Sequence, residues 1–215
     1  MIYLDNSATS FPKPYTVSNA VNSVINIYGA NPGRSGHKLA MKSSKEIFNA
    51  RESIAKFFNA NSVENVVFTL NCTHALNIVI KGLLKSGDHV VISNLEHNSV
   101  VRPLETLSKK GITYSKAKIY EADNDKTIES FKNAINKDTK LVICTHSSNV
   151  WGIKTPIDRI GKLCKEYGIN FMVDASQTAG TENIDIINSN IDFLCTAGHK
   201  SLYGPMGTGL LITDK

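Results

Sequence analysis

Asn170–Asp174 reads NFMVD and runs straight into ASQTAG, residues 175–180. Five residues are too few for a helix, and a run apolar on both faces is what a strand buried in a parallel sheet requires. Its last residue is an aspartate. An ionised carboxylate at the end of a buried strand is costly unless it meets a cation or several donors. The stretch therefore predicts a covered sheet and, beside Asp174, either a cationic group or a turn that the carboxylate caps.

Five further runs of the same kind lie on either side: VVFTL (66–70), HVVIS (89–93), LVICT (141–145), DFLCT (192–196) and GLLIT (209–213). Helical patterns fill the intervals Thr73–Lys85, Ser99–Lys110, Lys126–Asn136 and Pro156–Tyr167. Strands and helices alternating at this length predict an α/β fold of three layers, α/β/α, with a mostly parallel central sheet. Ligands of such sheets bind beyond the carboxyl ends of the strands. Ahead of Val66, residues 14–29 and 42–58 read as two amphipathic helices joined by ANPGRSGHK. With no linker-like stretch after them, residues 1–65 are expected to form a helical extension packed on a main domain of residues 66–215. GLLIT is expected to be a strand exposed at the edge of the sheet, covered by further chain or by a partner.

The 215 residues are 41% hydrophobic and 20% charged, with a net charge of +5, the make-up of an ordinary globular protein. Lys109 and Lys110 form the only adjacent basic pair, which argues against nucleic-acid or membrane-surface partners. The N-terminus lacks a basic stretch followed by an apolar one, and no run reaches the length of a membrane span, so a cytoplasmic protein is expected. Cys72, Cys144, Cys164 and Cys195 are widely spaced, without a zinc or disulfide pattern, and read as reduced, mostly buried thiols.

The polar residues just after each strand carry the functional signal. Thr73 follows the first run at a helix start, where free N–H groups favour a phosphate, or where it simply caps. His97 follows the second, able to stack on a flat ligand or to be an ordinary loop histidine. After the third come His146, Ser147, Ser148 and Asn149, possible donors to a ligand oxygen or members of a capped turn. Asp174 follows the fourth, with Gln177 on the same turn. Lys200, in AGHKSLYGPMGTG (197–209), sits among small and apolar neighbours. A lysine desolvated there has the lowered pKa of an imine-forming amine; a solvated surface charge is the alternative. No phosphate loop or dinucleotide fingerprint is present, nor a histidine pair with helical metal spacing. An amine for an aldehyde, a carboxylate for a ring nitrogen, a helix start for a phosphate and an imidazole for a ring face together match pyridoxal 5′-phosphate (PLP).

In order along the chain, YLDNSATS, NPGRSGHKLA, NCTHALN, LEHNSVVRP, SSNVWGIKTPI, VDASQTAG and GHKSLYGPMGTG resemble the class V branch of fold-type I PLP enzymes, within it the cysteine desulfurases and selenocysteine lyases. The resemblance implies the large domain of a PLP-dependent transferase. It makes Lys200 the lysine that condenses with the cofactor aldehyde and then exchanges protons at the substrate Cα. Asp174 becomes the partner of the pyridine nitrogen, Gln177 that of the ring hydroxyl, and His97 the stacking histidine that assists proton transfer. Thr73 and His199 match phosphate-binding positions, Cys72 joins the cofactor-binding set beside Thr73, and Asn149 contacts the substrate carboxylate or the ring hydroxyl region.

The implied reaction converts L-cysteine to L-alanine and an enzyme-bound persulfide, in a homodimer that passes sulfur to an acceptor protein. A class V aminotransferase, a selenocysteine or other β-eliminating lyase, and a non-catalytic PLP-binding fragment are the alternatives. Two features depart from the family pattern. Ala197, with Thr196 before it, stands where many members have a serine for the phosphate. Family members are also much longer, and their C-terminal small domain, nucleophilic cysteine and carboxylate-binding arginine are expected to lie outside this sequence. None of the four cysteines matches the nucleophile.

Overall fold

The computed structural model describes residues 2–34 and 36–214. Two helices, α1 (Tyr15–Ser23) and α2 (Lys38–Phe57), precede the sheet, with a π-helical turn at Val24–Tyr28. The sheet region then runs β1 (Val66–Thr69), α3 (Cys72–Leu83), β2 (His89–Ser93), α4 (Asn98–Ser108), β3 (Thr113–Ala117), α5 (Asn124–Ala134), β4 (Thr139–Thr145), α6 (Ile157–Tyr167), β5 (Asn170–Asp174), β6 (Phe193–Ala197) and β7 (Gly209–Thr213). Across the sheet the seven strands lie in the order β1-β7-β6-β5-β4-β2-β3. β7 is antiparallel to both neighbours, and every other pairing is parallel. This is the mostly parallel α/β architecture that the alternating runs predict.

Two buried apolar clusters cover the two faces. One joins Leu76, Ile80, Val100 and Leu104 of α3 and α4 to the strands. The other joins Phe131, Ile160 and Cys164 of α5 and α6, with Ala55 of α2, to the opposite face. All four cysteines are buried. α1, by contrast, buries none of its residues. No helix among the described residues is long and apolar enough to cross a membrane.

Three expectations fail, each for a physical reason. β7 is not a sheet edge: it lies between β1 and β6, so both of its backbone sides are paired. β1, expected to be buried on both faces, is an edge strand whose Val67 and Phe68 are 39% and 43% exposed. The opposite edge, β3, has no counterpart among the runs read from sequence. Its TYSKA buries only Ala117, and an edge strand so exposed has no need of an apolar signature.

Helix starts also shift. α2 begins at Lys38, four residues ahead of the expected stretch, because the His37 side chain caps it by accepting from Ala40 N–H. α5 begins at Asn124, capped by Asp123 accepting from Lys126 N–H. α6 ends at Tyr167, where Gly168 takes up the left-handed conformation.

The topology fixes where a ligand can lie. The chain leaves β2 through α4 on one face and leaves β4 through α6 on the other. The loops after these adjacent strands therefore diverge and open a crevice at their carboxyl ends.

Candidate active site

The pocket at that crevice brings together the eight residues that the family resemblance assigns to the site: Cys72, Thr73, His97, Asn149, Asp174, Gln177, His199 and Lys200. They come from five different strand-to-loop junctions, so the fold and not the sequence spacing makes them neighbours.

Asp174 ends β5 and is 5% exposed. The strand ends on either side of it are locked: His146 N–H donates to the Asp174 carbonyl at 2.9 Å, and Ala175 N–H donates to the Cys195 carbonyl at 2.8 Å. Its carboxylate Oδ1 accepts from Ser176 N–H at 2.9 Å and from the Cys72 thiol at 3.4 Å. Burial, reinforced by the negative charge of Asp174, raises the Cys72 pKa well above its ordinary value, which keeps the thiol a donor. No Lys, Arg or His among the described residues forms an ion pair with Asp174. A buried carboxylate without a cation is an expensive arrangement that a protonated ligand nitrogen in the pocket would relieve.

The first turn of α3 follows β1. Asn71 caps it, its Oδ1 accepting from His74 N–H at 2.8 Å, and Ala75 N–H bonds the Asn71 carbonyl at 3.2 Å. The amides of Cys72 and Thr73 are then the donors of the helix start without a partner among the described residues. Gly209 allows this turn to sit against β7, since a Cβ there would lie 2.5 Å from the Asn71 carbonyl carbon.

His97 caps α4. Its Nδ1 accepts from Ser99 N–H at 3.1 Å and lies 2.8 Å from the Ser99 hydroxyl, so in the neutral ring the proton belongs on Nε2. His199 Nδ1 lies 3.1 Å from Thr9 Oγ1. Burial, then the charges of Lys200 and Lys13, lower the His199 pKa, so its ring is neutral near pH 7. Gln177 spends one N–H on the Ser7 carbonyl at 3.1 Å, leaving the second N–H and its carbonyl for a ligand. Lys200 Nζ has no hydrogen-bond or ion-pair partner among the described residues, in the same pocket as the uncompensated Asp174.

The four polar residues after β4 separate cleanly. Ser147 and Asn149 line the pocket. His146 is buried, with Nδ1 2.9 Å from the Thr178 hydroxyl, and Ser148 Oγ accepts from the amides of Val150 and Trp151. These two hold the turn and do not line the pocket. Thr196 does not replace the serine hydroxyl missing at Ala197, because it is fully buried with its Oγ1 turned to the Ala175 carbonyl at 3.4 Å. Hydroxyls within the pocket come instead from Thr73, Ser99, Thr145, Ser147 and Ser176.

Sequence reasoning passed over Ser99 and Ser176, each two residues beyond a residue it did single out, and Thr145 at the last position of β4. It also passed over Glu96. That carboxyl bridges the crevice: Oε1 accepts from the Ser93 hydroxyl at 2.5 Å and from Thr145 N–H at 2.7 Å, while Oε2 is buried without a partner. Burial pushes its pKa up to about 7 against these two hydrogen bonds. The available signal was its place between the second strand and His97.

The aminotransferase class-V family model matches residues 2–215. A probable cysteine desulfurase of Methanothermobacter thermautotrophicus is 35% identical over 213 residues, covering 98% of this chain and 52% of that protein. Cysteine desulfurase IscS of Clostridium botulinum is 35% identical over 214 residues, covering 98% of this chain and 53% of that protein. Among solved structures, the apo cysteine desulfurase of Thermococcus onnurineus NA1 superimposes with a TM-score of 0.90 at 33% identity, covering 100% of this chain and 54% of that one. SspA in complex with cysteine superimposes with a TM-score of 0.89 at 29% identity, covering 99% of this chain and 61% of that one. The chain spans about half the length of the curated relatives it matches. On the match over residues 2–215, the chain belongs to the aminotransferase class-V family.

Proposed function

We propose that the chain binds PLP and supplies the cofactor-binding half of a cysteine desulfurase acting on L-cysteine. The observation that carries this reading is Asp174, buried without a cation in the same pocket as the unpartnered Lys200 ammonium. The donor set fits PLP at each end: carboxylate, amine, imidazole, and the first-turn amides of α3. Bound there, PLP supplies an electron sink that makes the α-proton of an amino acid removable.

The residues of the chain then have distinct tasks. Asp174 Oδ2 holds a proton on the ring nitrogen, its other oxygen being fixed by Ser176 and Cys72. The amides of Cys72 and Thr73, with the Thr73 hydroxyl and His199, bind the phosphate. Thr9, whose hydroxyl donates to the His199 carbonyl at 3.0 Å and lies 3.1 Å from Nδ1, fixes the orientation of the ring. Gln177 gives its second N–H to the ring hydroxyl. His97 would lie against the ring, and Asn149 would meet the substrate carboxylate or the ring hydroxyl region. Lys200 Nζ holds the cofactor and carries the proton on and off Cα.

The persulfide-forming cysteine belongs outside this set. Burial raises the pKa of Cys72, Cys144, Cys164 and Cys195, so none has the exposed thiolate that a sulfur nucleophile needs. We place that thiol, the carboxylate-binding arginine and the small domain in a further half, with residues 1–65 as a helical extension of the 66–215 domain. A cytoplasmic homodimer with a sulfur-acceptor partner completes the reading.

Absorbance spectroscopy with added PLP tests it. The wild type is expected to give the visible band of a protein-bound imine, and Lys200→Ala to give only the spectrum of free PLP. An unchanged band in Lys200→Ala would overturn the assignment.

A further inference from the structure

The turn that carries Lys200 is held both by its own backbone and by a distant segment of the chain. Tyr203 holds a left-handed backbone (φ 58°), a conformation that residues with a side chain adopt at a cost. Its amide closes the turn on the Lys200 carbonyl at 2.8 Å. Gly204 N–H also bonds the Gly198 carbonyl at 2.7 Å, but every other hydrogen bond to the His199 and Lys200 carbonyls among the described residues comes from residues 9–13, some 190 positions away. Ser10 N–H and the Thr9 hydroxyl lie 3.2 Å and 3.0 Å from the His199 carbonyl. The Ser10 hydroxyl lies 2.8 Å from the Lys200 carbonyl. Lys13 Nζ lies 2.8 Å from Ser10 Oγ and 2.5 Å from the His199 carbonyl.

Proton accounting gives these contacts a direction. A hydroxyl has one proton, and Ser10 Oγ lies 2.8 Å from the Lys200 carbonyl against 3.2 Å from the His199 carbonyl, which sends the proton to Lys200. Ser10 Oγ then accepts from Lys13, whose ammonium also donates to His199. The result is a relay from the Lys13 ammonium through the Ser10 hydroxyl to the Lys200 carbonyl. The charge at its head polarises and strengthens each bond. With Tyr203 N–H on the other side, both lone pairs of the Lys200 carbonyl are used.

We propose that Lys13, acting through Ser10, is a positioning residue that braces the His199–Lys200 backbone, so that the Lys200 amine and the His199 ring are presented to the pocket in a fixed geometry. Lys13 does not line the pocket and makes no bond to a ligand in this reading. The proposal rests on the PLP reading only for its consequence, since the brace itself belongs to the cofactor-free chain.

Hydrogen exchange and cofactor titration test it together on the whole chain. In Lys13→Met without PLP, the amides of residues 200–204 should exchange about tenfold faster, and PLP should bind about tenfold more weakly, the scale of one charge-assisted hydrogen bond. Lys13→Arg, which keeps two donors on a cation, should recover most of both. Should Lys13→Met fail to fold, Ser10→Ala cuts the same relay and should speed exchange at the same amides. Unchanged exchange at 200–204 in Lys13→Met or in Ser10→Ala would overturn the proposal, as would borohydride-reduced holoprotein bearing its label on Lys13. If Lys200→Ala keeps the imine band while Lys13→Met speeds exchange, the PLP reading falls and the brace stands.

Discussion

Asp174 meets opposite demands with and without the PLP proposed for this pocket. Buried with Ser176 N–H and the Cys72 thiol as the donors to its side chain among the described residues, its carboxylate is under-compensated without a cation beside it. Replacing it with Asn keeps the size and removes the charge. Asp174→Asn is expected to raise the stability of the PLP-free protein by about 1 kcal/mol, as at other sites where function holds a protein below its stability optimum. The same change is expected to weaken PLP binding by about tenfold to a hundredfold, the worth of a hydrogen bond between charged groups. Thermal melts without cofactor and a PLP titration read the two effects separately. A variant that lost stability and bound PLP normally would show Asp174 to be a structural cap, the alternative its sequence context left open. Lys200 is the complementary residue, its Nζ without a hydrogen-bond or ion-pair partner among the described residues in the same pocket.

At the scale of elements, the site depends on how closely α3 approaches β7. The backbone of Asn71 would lie 2.5–2.8 Å from a Cβ at Gly209, too close for any side chain without movement of the capping turn. Gly209→Ala is expected to destabilise the fold by about 1–3 kcal/mol and to weaken PLP binding with it, since the turn that moves carries the amides of Cys72 and Thr73. Chemical denaturation and cofactor titration measure the two losses; a variant unaffected in either would show that the approach is loose.

Much of this was legible in the sequence, and the parts that were not have physical reasons. Runs such as NFMVD and LVICT announce themselves because burial on both faces demands apolar residues throughout. TYSKA does not, because an edge strand is held by backbone hydrogen bonds that leave no trace in side-chain pattern. GLLIT looked terminal because chain order was read as sheet order, and only pairing with β1 reveals it as interior. The eight site residues were legible because each follows a strand. The Lys13–Ser10 brace was not, because its two halves meet only through the fold.

For the whole molecule, two buried groups tie stability to pH in opposite senses. Glu96 crosses the crevice from the β2–α4 loop to β4, and burial lifts its pKa from an ordinary 4.5 to about 7. His146 ties the end of β4 to Thr178, and burial, then the Lys154 charge, drops its pKa from 6.5 to about 4. Between pH 4.5 and 7 the folded chain holds a proton on Glu96 that the unfolded chain has released, so stability falls as pH rises. Between pH 4 and 6.5 the unfolded chain binds a proton on His146 that the folded chain refuses, so stability rises with pH. In the shared interval, from 4.5 to 6.5, each group alone contributes a slope of up to about 1.4 kcal/mol per pH unit, and the two have opposite signs. The two slopes offset, and the lowered pKa values of His89 and His199 add a smaller rise, so the PLP-free wild type is expected to show only a shallow climb in melting temperature across that interval. Glu96→Gln should leave the His146 slope, a melting temperature that climbs with pH. His146→Asn should leave the Glu96 slope, one that falls. Melting curves of the three proteins from pH 4.5 to 7 decide the matter, and parallel profiles in all three would mean that neither group is held away from its ordinary pKa by the fold.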